Sequence, residues 1–81
     1  MNSSGVFTVE GVILESLPNT QFRIQVTVAS SEAPEMVSTI VLCHLSGRMR
    51  RNFIRLLPGD KVRAEVSSQN KTLGRLVYKL K

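Results

Sequence analysis

A two-residue hydrophobic period, returning along most of the chain, limits the fold more than any other feature. Phe22, Ile24, Val26 and Val28 alternate with Arg23, Gln25 and Thr27, the pattern of a strand with one buried face and one wet face. The same period sets Phe7, Val9, Gly11 and Ile13 against Thr8, Glu10, Val12 and Leu14. It returns with Val62, Ala64 and Val66 against Lys61, Arg63 and Glu65. Near the end it sets Leu76, Tyr78 and Leu80 against Arg75, Val77, Lys79 and Lys81. Val37 to Leu45 is different, being apolar at nearly every position after Thr39. That stretch predicts a strand covered on both sides for part of its length.

The punctuation between these runs supports strands. Leu17-Pro18-Asn19-Thr20 fits a β-turn, with Pro second and Asn third, and Leu57-Pro58-Gly59-Asp60 suits a type II turn. Gly11 inside a strand pattern predicts a bulge or sharp bend, as the closing of a small barrel requires. Ala29 to Glu35 is small, acidic and broken by Pro34. It reads as the tip of a long hairpin, a loop at about 29–36 facing away from the basic surface. Ser67 to Thr72 is a polar loop, and residues 1–5 are a polar, flexible start.

One segment departs from the period of two. From Ser46 to Leu57, Met49, Phe53, Leu56 and Leu57 form one stripe at about 100° per residue, with Arg48, Arg51, Asn52 and Arg55 opposite and Arg50 and Ile54 at the flank. Ser46 suits the N-cap, and Pro58-Gly59 cannot continue a helix. The arginines point outward whether the segment is a helix or a loop. Five short strands with a helix between the third and fourth give an all-β chain, a five-stranded OB-fold barrel. Residues 1–81 make a single domain. A five-stranded SH3-like barrel is the competitor, and the position of the helix argues against it.

Composition sharpens what such a barrel can do. Apolar residues make up 42% of the chain, mostly Val, Ile and Leu, with three Phe, one Tyr and no Trp. Alternation sends Phe7, Phe22 and Tyr78 into the core, and Phe53 lies on the apolar stripe. Few aromatics then remain for base stacking. The net charge of +5 is uneven. Through Ser46 there is one Arg against four Glu, net −3, and from Gly47 onward ten Lys or Arg against Asp60 and Glu65, net +8. Such a split implies a basic face aimed at a polyanion; an incidentally basic surface on a protein-interaction module is the plainer reading.

Several function classes are excluded. One histidine, no second metal ligand at a sensible spacing and no Gly-rich phosphate loop argue against an enzyme, a metal site or a cofactor. Glu10 and Glu15, five apart on a strand, face opposite sides and cannot pair as acid and base. Cys43 alone supports neither a disulfide framework nor a cysteine-rich zinc site. Among Ile40, Val41, Leu42 and Leu45 it reads as a buried small hydrophobe in a reducing compartment. No apolar run approaches the ~20 residues of a membrane span, and the first residues carry no targeting pattern.

The positive case is RNA. Arg48, Arg50, Arg51 and Arg55 offer bidentate hydrogen bonds to phosphates. On the last strand Arg75, Lys79 and Lys81 share one parity and line one face, with Arg63 as a further candidate. His44, just before the arginines, either contacts RNA or is a polar strand end. With few free aromatics, shape and phosphates of a folded RNA are the expected target. A general single-strand chaperone of the cold-shock type is the alternative, but it needs surface aromatic clusters.

The segments Glu15 to Arg23, His44 to Val62 (His-Leu-Ser-Gly-Arg-Met-Arg at its head) and Gly74 to Lys79 closely resemble bacterial-type translation initiation factor one, from about Phe7 to Lys79. The resemblance implies a monomeric factor at the aminoacyl (decoding) site of the small ribosomal subunit. It implies contacts with ribosomal RNA and a neighbouring ribosomal protein, and cooperation with the other two initiation factors. It further implies that Gly47 to Arg55, including Met49 and Asn52, inserts against decoding-site RNA, with Arg23, His44, Arg75 and Lys79 as further contacts. Two departures stand out. The hairpin from about Thr27 to Val41 is longer than the family's short Asn-Gly turn, and Arg48 and Arg51 replace lysines of the signature. Arg50 to Asp60 is worded like plastid versions, so a bacterial cytoplasm and a plastid stroma are both open.

Overall fold

The computed structural model describes residues 5–51 and 55–80. The two-residue period becomes five strands: β1 (Val6–Leu17), β2 (Gln21–Val28), β3 (Ile40–Leu45), β4 (Lys61–Ser67) and β5 (Leu73–Lys79). One short helix, α1 (Gly47–Arg51), follows β3. The strands close into a barrel in the order β1-β2-β3-β5-β4. Neighbours are antiparallel except β3 and β5, which run parallel. This is the OB-fold barrel that the order of elements implies.

Closure depends on β1 serving two partners. It pairs with β4 from Val6 to Val12 and with β2 from Glu10 to Leu17. The overlap needs a bend, and the ladder with β2 shifts between Glu10 and Gly11, at the expected glycine. There the backbones approach so closely that a Cβ on Gly11 would lie 2.6 Å from the Gln25 carbonyl oxygen. The inward positions of the period fill the barrel: Val9, Ile13, Ile24, Val26, Val41, Val62, Ala64, Val66 and Leu76 are all buried. Burying a large aliphatic side chain stabilises by about 1.5–3 kcal/mol. Cys43 joins them, and burial pushes its thiol up to about 12, so it stays protonated and unreactive at neutral pH. The turns behave as expected, with Asn19 and Gly59 at φ 67° and 94° and the Asp60 N–H donating to the Leu57 carbonyl.

Strand irregularities overturn several expectations. A second shift in β1, between Ile13 and Glu15, makes Leu14 an extra residue and turns Glu15 outward on the same side of the barrel wall as Glu10. In β5, Ala64 pairs with Leu76 but Arg63 pairs with Tyr78, so Val77 is bulged and Tyr78 faces solvent instead of the core. The bulge also breaks the shared parity of Arg75 and Lys79. Strand β3 is covered on one face only: Val41 and Cys43 are buried, whereas Ile40 and His44 are exposed. Val28 is exposed because the shift between Glu10 and Gly11 leaves Thr27 as an extra residue and sets Val28 opposite the outward-facing Glu10; Leu57, ahead of the Pro58-Gly59 turn, is exposed too.

The loop after β2 is not a free hairpin tip. It forms a 3-10 turn at Pro34–Met36 that drives Ala33 and Met36 into the core, closing the barrel end opposite α1. The Met36 carbonyl accepts from the Thr39 N–H and hydroxyl. Glu35 pairs with Lys71 at 2.7 Å, and that hydrogen bond holds its carboxyl below the usual range. Expectations placed on Asn52, Phe53, Ile54, Lys81 and residues 1–4 lie outside the described residues.

Candidate nucleic-acid interface

The basic segment is built from its anchor outward. Ser46 is the N-cap: its hydroxyl accepts from the Met49 N–H at 3.2 Å and its carbonyl from the Arg50 N–H at 3.0 Å. Such a cap contributes about 1 kcal/mol. The Ser46 N–H donates to the Leu76 carbonyl, fixing the start of α1 to β5. Met49 is 1% exposed in the core. Its place on the apolar stripe is therefore its role, and its expected contact with RNA is corrected, because the side chain that holds the helix is not at the surface. Opposite it, Gly47, Arg50 and Arg51 are exposed. Beyond Gly47's chain neighbours and its own helical backbone, no atom of a described residue lies within 4 Å of where a Cβ on Gly47 would sit, so the packing around it does not demand glycine there.

The helix is shorter than expected, since Arg55 to Leu57 lie outside it. They are held by other means. Leu56 is buried. The Asp60 carboxylate accepts from the Leu57 N–H at 2.8 Å, and the Gly59 N–H and Asp60 carbonyl bond to Ile13 of β1. The Lys79 ammonium donates to the Arg55 carbonyl at 3.1 Å and lies 3.6 Å from Asp60. Arg55 is thus presented from a clamped backbone.

Charge sorting separates this segment from the barrel wall. Three ion pairs join residues directly opposite in the ladders: Glu15 with Arg23, Glu10 with Arg63 at 3.2 Å, and Glu65 with Arg75 at 2.7 Å. Glu35 and Asp60 engage Lys71 and Lys79. By contrast, Arg50, Arg51, Arg55 and Lys61 make no ion pair with any described residue. Of the expected contact residues, Arg50, Arg51 and Arg55 therefore carry charge that no described residue neutralises, while the half-buried Arg23 and the exposed Arg75 and Lys79 are partnered. His44 is exposed and directly opposite Arg75, and the two share a groove of about 520 Å³ with Gln21 and Glu65. Arg48 lies within α1. Lys61 received no role from sequence, although it directly follows the turn that ends the basic segment. Cations with no ion pair among the described residues, grouped on a capped helix and the clamped segment after it, suit a polyanion.

No protein-family model matches the chain. It is 46% identical over 72 residues to a chloroplastic translation initiation factor IF-1 of Illicium oligandrum, covering 89% of this chain and 82% of that protein. The solution structure of translation initiation factor one from the Wolbachia endosymbiont strain TRS of Brugia malayi is similar at a TM-score of 0.65. Its identity is 33%, over 99% of this chain and 84% of that one. The crystal structure of YjeQ from Thermotoga maritima reaches a TM-score of 0.67 at 18% identity, over 91% of this chain and 23% of that one. The last is a likeness of fold alone.

Proposed function

The chain belongs to the translation initiation factor IF-1 family of bacterial and plastid type, a family of non-enzymatic factors, and on that footing we propose that it occupies the aminoacyl (decoding) site of the small ribosomal subunit. Arg50, Arg51 and Arg55 grip phosphates of the ribosomal RNA there, with Arg48 and Asn52 in the same segment. Gly47 leaves room for close approach of the RNA backbone. Arg23, His44, Arg75 and Lys79 widen the footprint at its margin, where acidic partners of the three cations reduce their share of the affinity. The factor acts as a monomer, touches a neighbouring ribosomal protein and cooperates with the other two initiation factors. The chloroplastic relative favours a plastid stroma over a bacterial cytoplasm.

The observation that carries this reading is the charge sorting: the barrel-wall arginines Arg23, Arg63 and Arg75 are matched in register, whereas Arg50, Arg51 and Arg55, which make no ion pair with a described residue, lie on α1 and the clamped segment after it. Guanidinium groups with no ion-pair partner among the described residues are available for phosphate forks. Binding to isolated small subunits, measured by co-sedimentation at constant magnesium, is expected to weaken steeply with monovalent salt. Three phosphate contacts give a log–log slope of about 2 to 3, or about 20- to 40-fold weaker binding for a fourfold rise in salt. Salt-independent binding contradicts the phosphate grip.

A further inference from the structure

We propose that Tyr78 is a stacking platform for an unpaired nucleobase of the bound RNA, an inference that rests on the RNA-binding reading above. Uninterrupted alternation from Leu76 would bury Tyr78. The bulge at Val77 instead delivers the ring to the outer face of the barrel, where it is 53% exposed. An aromatic ring left half in water while branched aliphatics fill the core has stacking surface to offer a ligand.

The surroundings select the ligand. The Arg63 guanidinium lies over the ring, 5.7 Å from its centroid, directly opposite Tyr78 in the ladder. Glu10, directly opposite Arg63 on the other side, holds that guanidinium at 3.2 Å. The ring is therefore backed by a fixed cation, which orders it before any ligand arrives. Lys61 lies two residues from Arg63 on the same face of β4, about 7 Å along the strand, and makes no ion pair with a described residue. It is placed to take the phosphate beside a stacked base. Tyr78 also directly precedes Lys79, whose ammonium meets the Arg55 carbonyl, so the platform borders the arginine segment. An aromatic face flanked by cations binds bases without regard to their identity.

The chain holds one Tyr and no Trp, so its tyrosine emission reports Tyr78 alone. Titrating the full chain with a short single-stranded oligoribonucleotide is expected to quench that emission, whereas a blunt duplex of equal length is not. Tyr78→Phe is expected to keep small-subunit binding. Tyr78→Leu is expected to weaken it about 5- to 150-fold, with the salt slope unchanged because no phosphate contact is lost, and with the unfolding temperature lowered by no more than about 2–8 °C, since the cation–π contact with Arg63 goes but no core residue does. Equal quenching by duplex, no quenching by single strand, or wild-type affinity of Tyr78→Leu overturns the stacking role while leaving the decoding-site reading standing. Failure of the unaltered protein to bind small subunits overturns both.

Discussion

Changing Arg50, Arg51 and Arg55 together to Glu is expected to reduce binding to isolated small subunits by about 1,000-fold or more. Each charge-assisted hydrogen bond lost is worth about 1.5–3 kcal/mol, and every 1.4 kcal/mol is a factor of about ten. The three side chains are exposed and make no ion pair with a described residue, so the unfolding transition should stay near that of the wild type. Exchanging Lys71 and Glu35 provides the control. That pair lies at the barrel end opposite α1, and swapping it preserves net charge, so binding should not change. Full binding by the triple variant, or equal loss in the exchanged pair, contradicts a grip localised to the arginine segment.

Gly11→Ala is expected to be among the most damaging single changes to stability. The new Cβ would stand 2.6 Å from the Gln25 carbonyl oxygen and 3.2 Å from Ile24 Cδ1. The carbonyl belongs to the ladder between β1 and β2 and cannot swing aside as a flexible side chain would. Overpacking of this kind costs about 3 kcal/mol, which lowers the melting temperature by about 12–24 °C for a domain of this size. Gly47→Ala is the internal comparison, since beyond its own helical turn no described residue has an atom within 4 Å of its Cβ position. It should leave thermal unfolding unchanged or slightly raised, because Ala is the better helix former. A wild-type melting temperature for Gly11→Ala would mean that β1 does not cross between its two partners as described.

The contrast between these glycines marks what the sequence could convey. Inner positions were readable because a period of two assigns a face to each residue, and Val9, Ile13, Ile24, Val26, Val62, Ala64, Val66 and Leu76 all lie where that period puts them. The Ser46 cap, the Gly11 irregularity and the Pro58-Gly59 turn were readable because few residue types suit those backbones. The bulges at Leu14 and Val77 were not. Barrel closure sets their position and neither residue type announces it, so every face assignment after them shifted. Tyr78 moved from core to surface by that route, and Glu15 came to share the outer side with Glu10. The segment after Val28 misled for another reason: its small and acidic composition concealed two apolar residues, Ala33 and Met36, spaced to plug one barrel end. The cross-strand ion pairs depend on register, so sequence alone could list the cations without showing which were already neutralised.

The arginine segment's target is the central claim, and chemical footprinting of small-subunit RNA with and without the protein tests it most directly. Protection confined to the decoding region, and lost with the Arg50, Arg51 and Arg55 triple variant, is the expected result. Protection spread over single-stranded RNA throughout the subunit, or an unchanged decoding region at saturating protein, would contradict it.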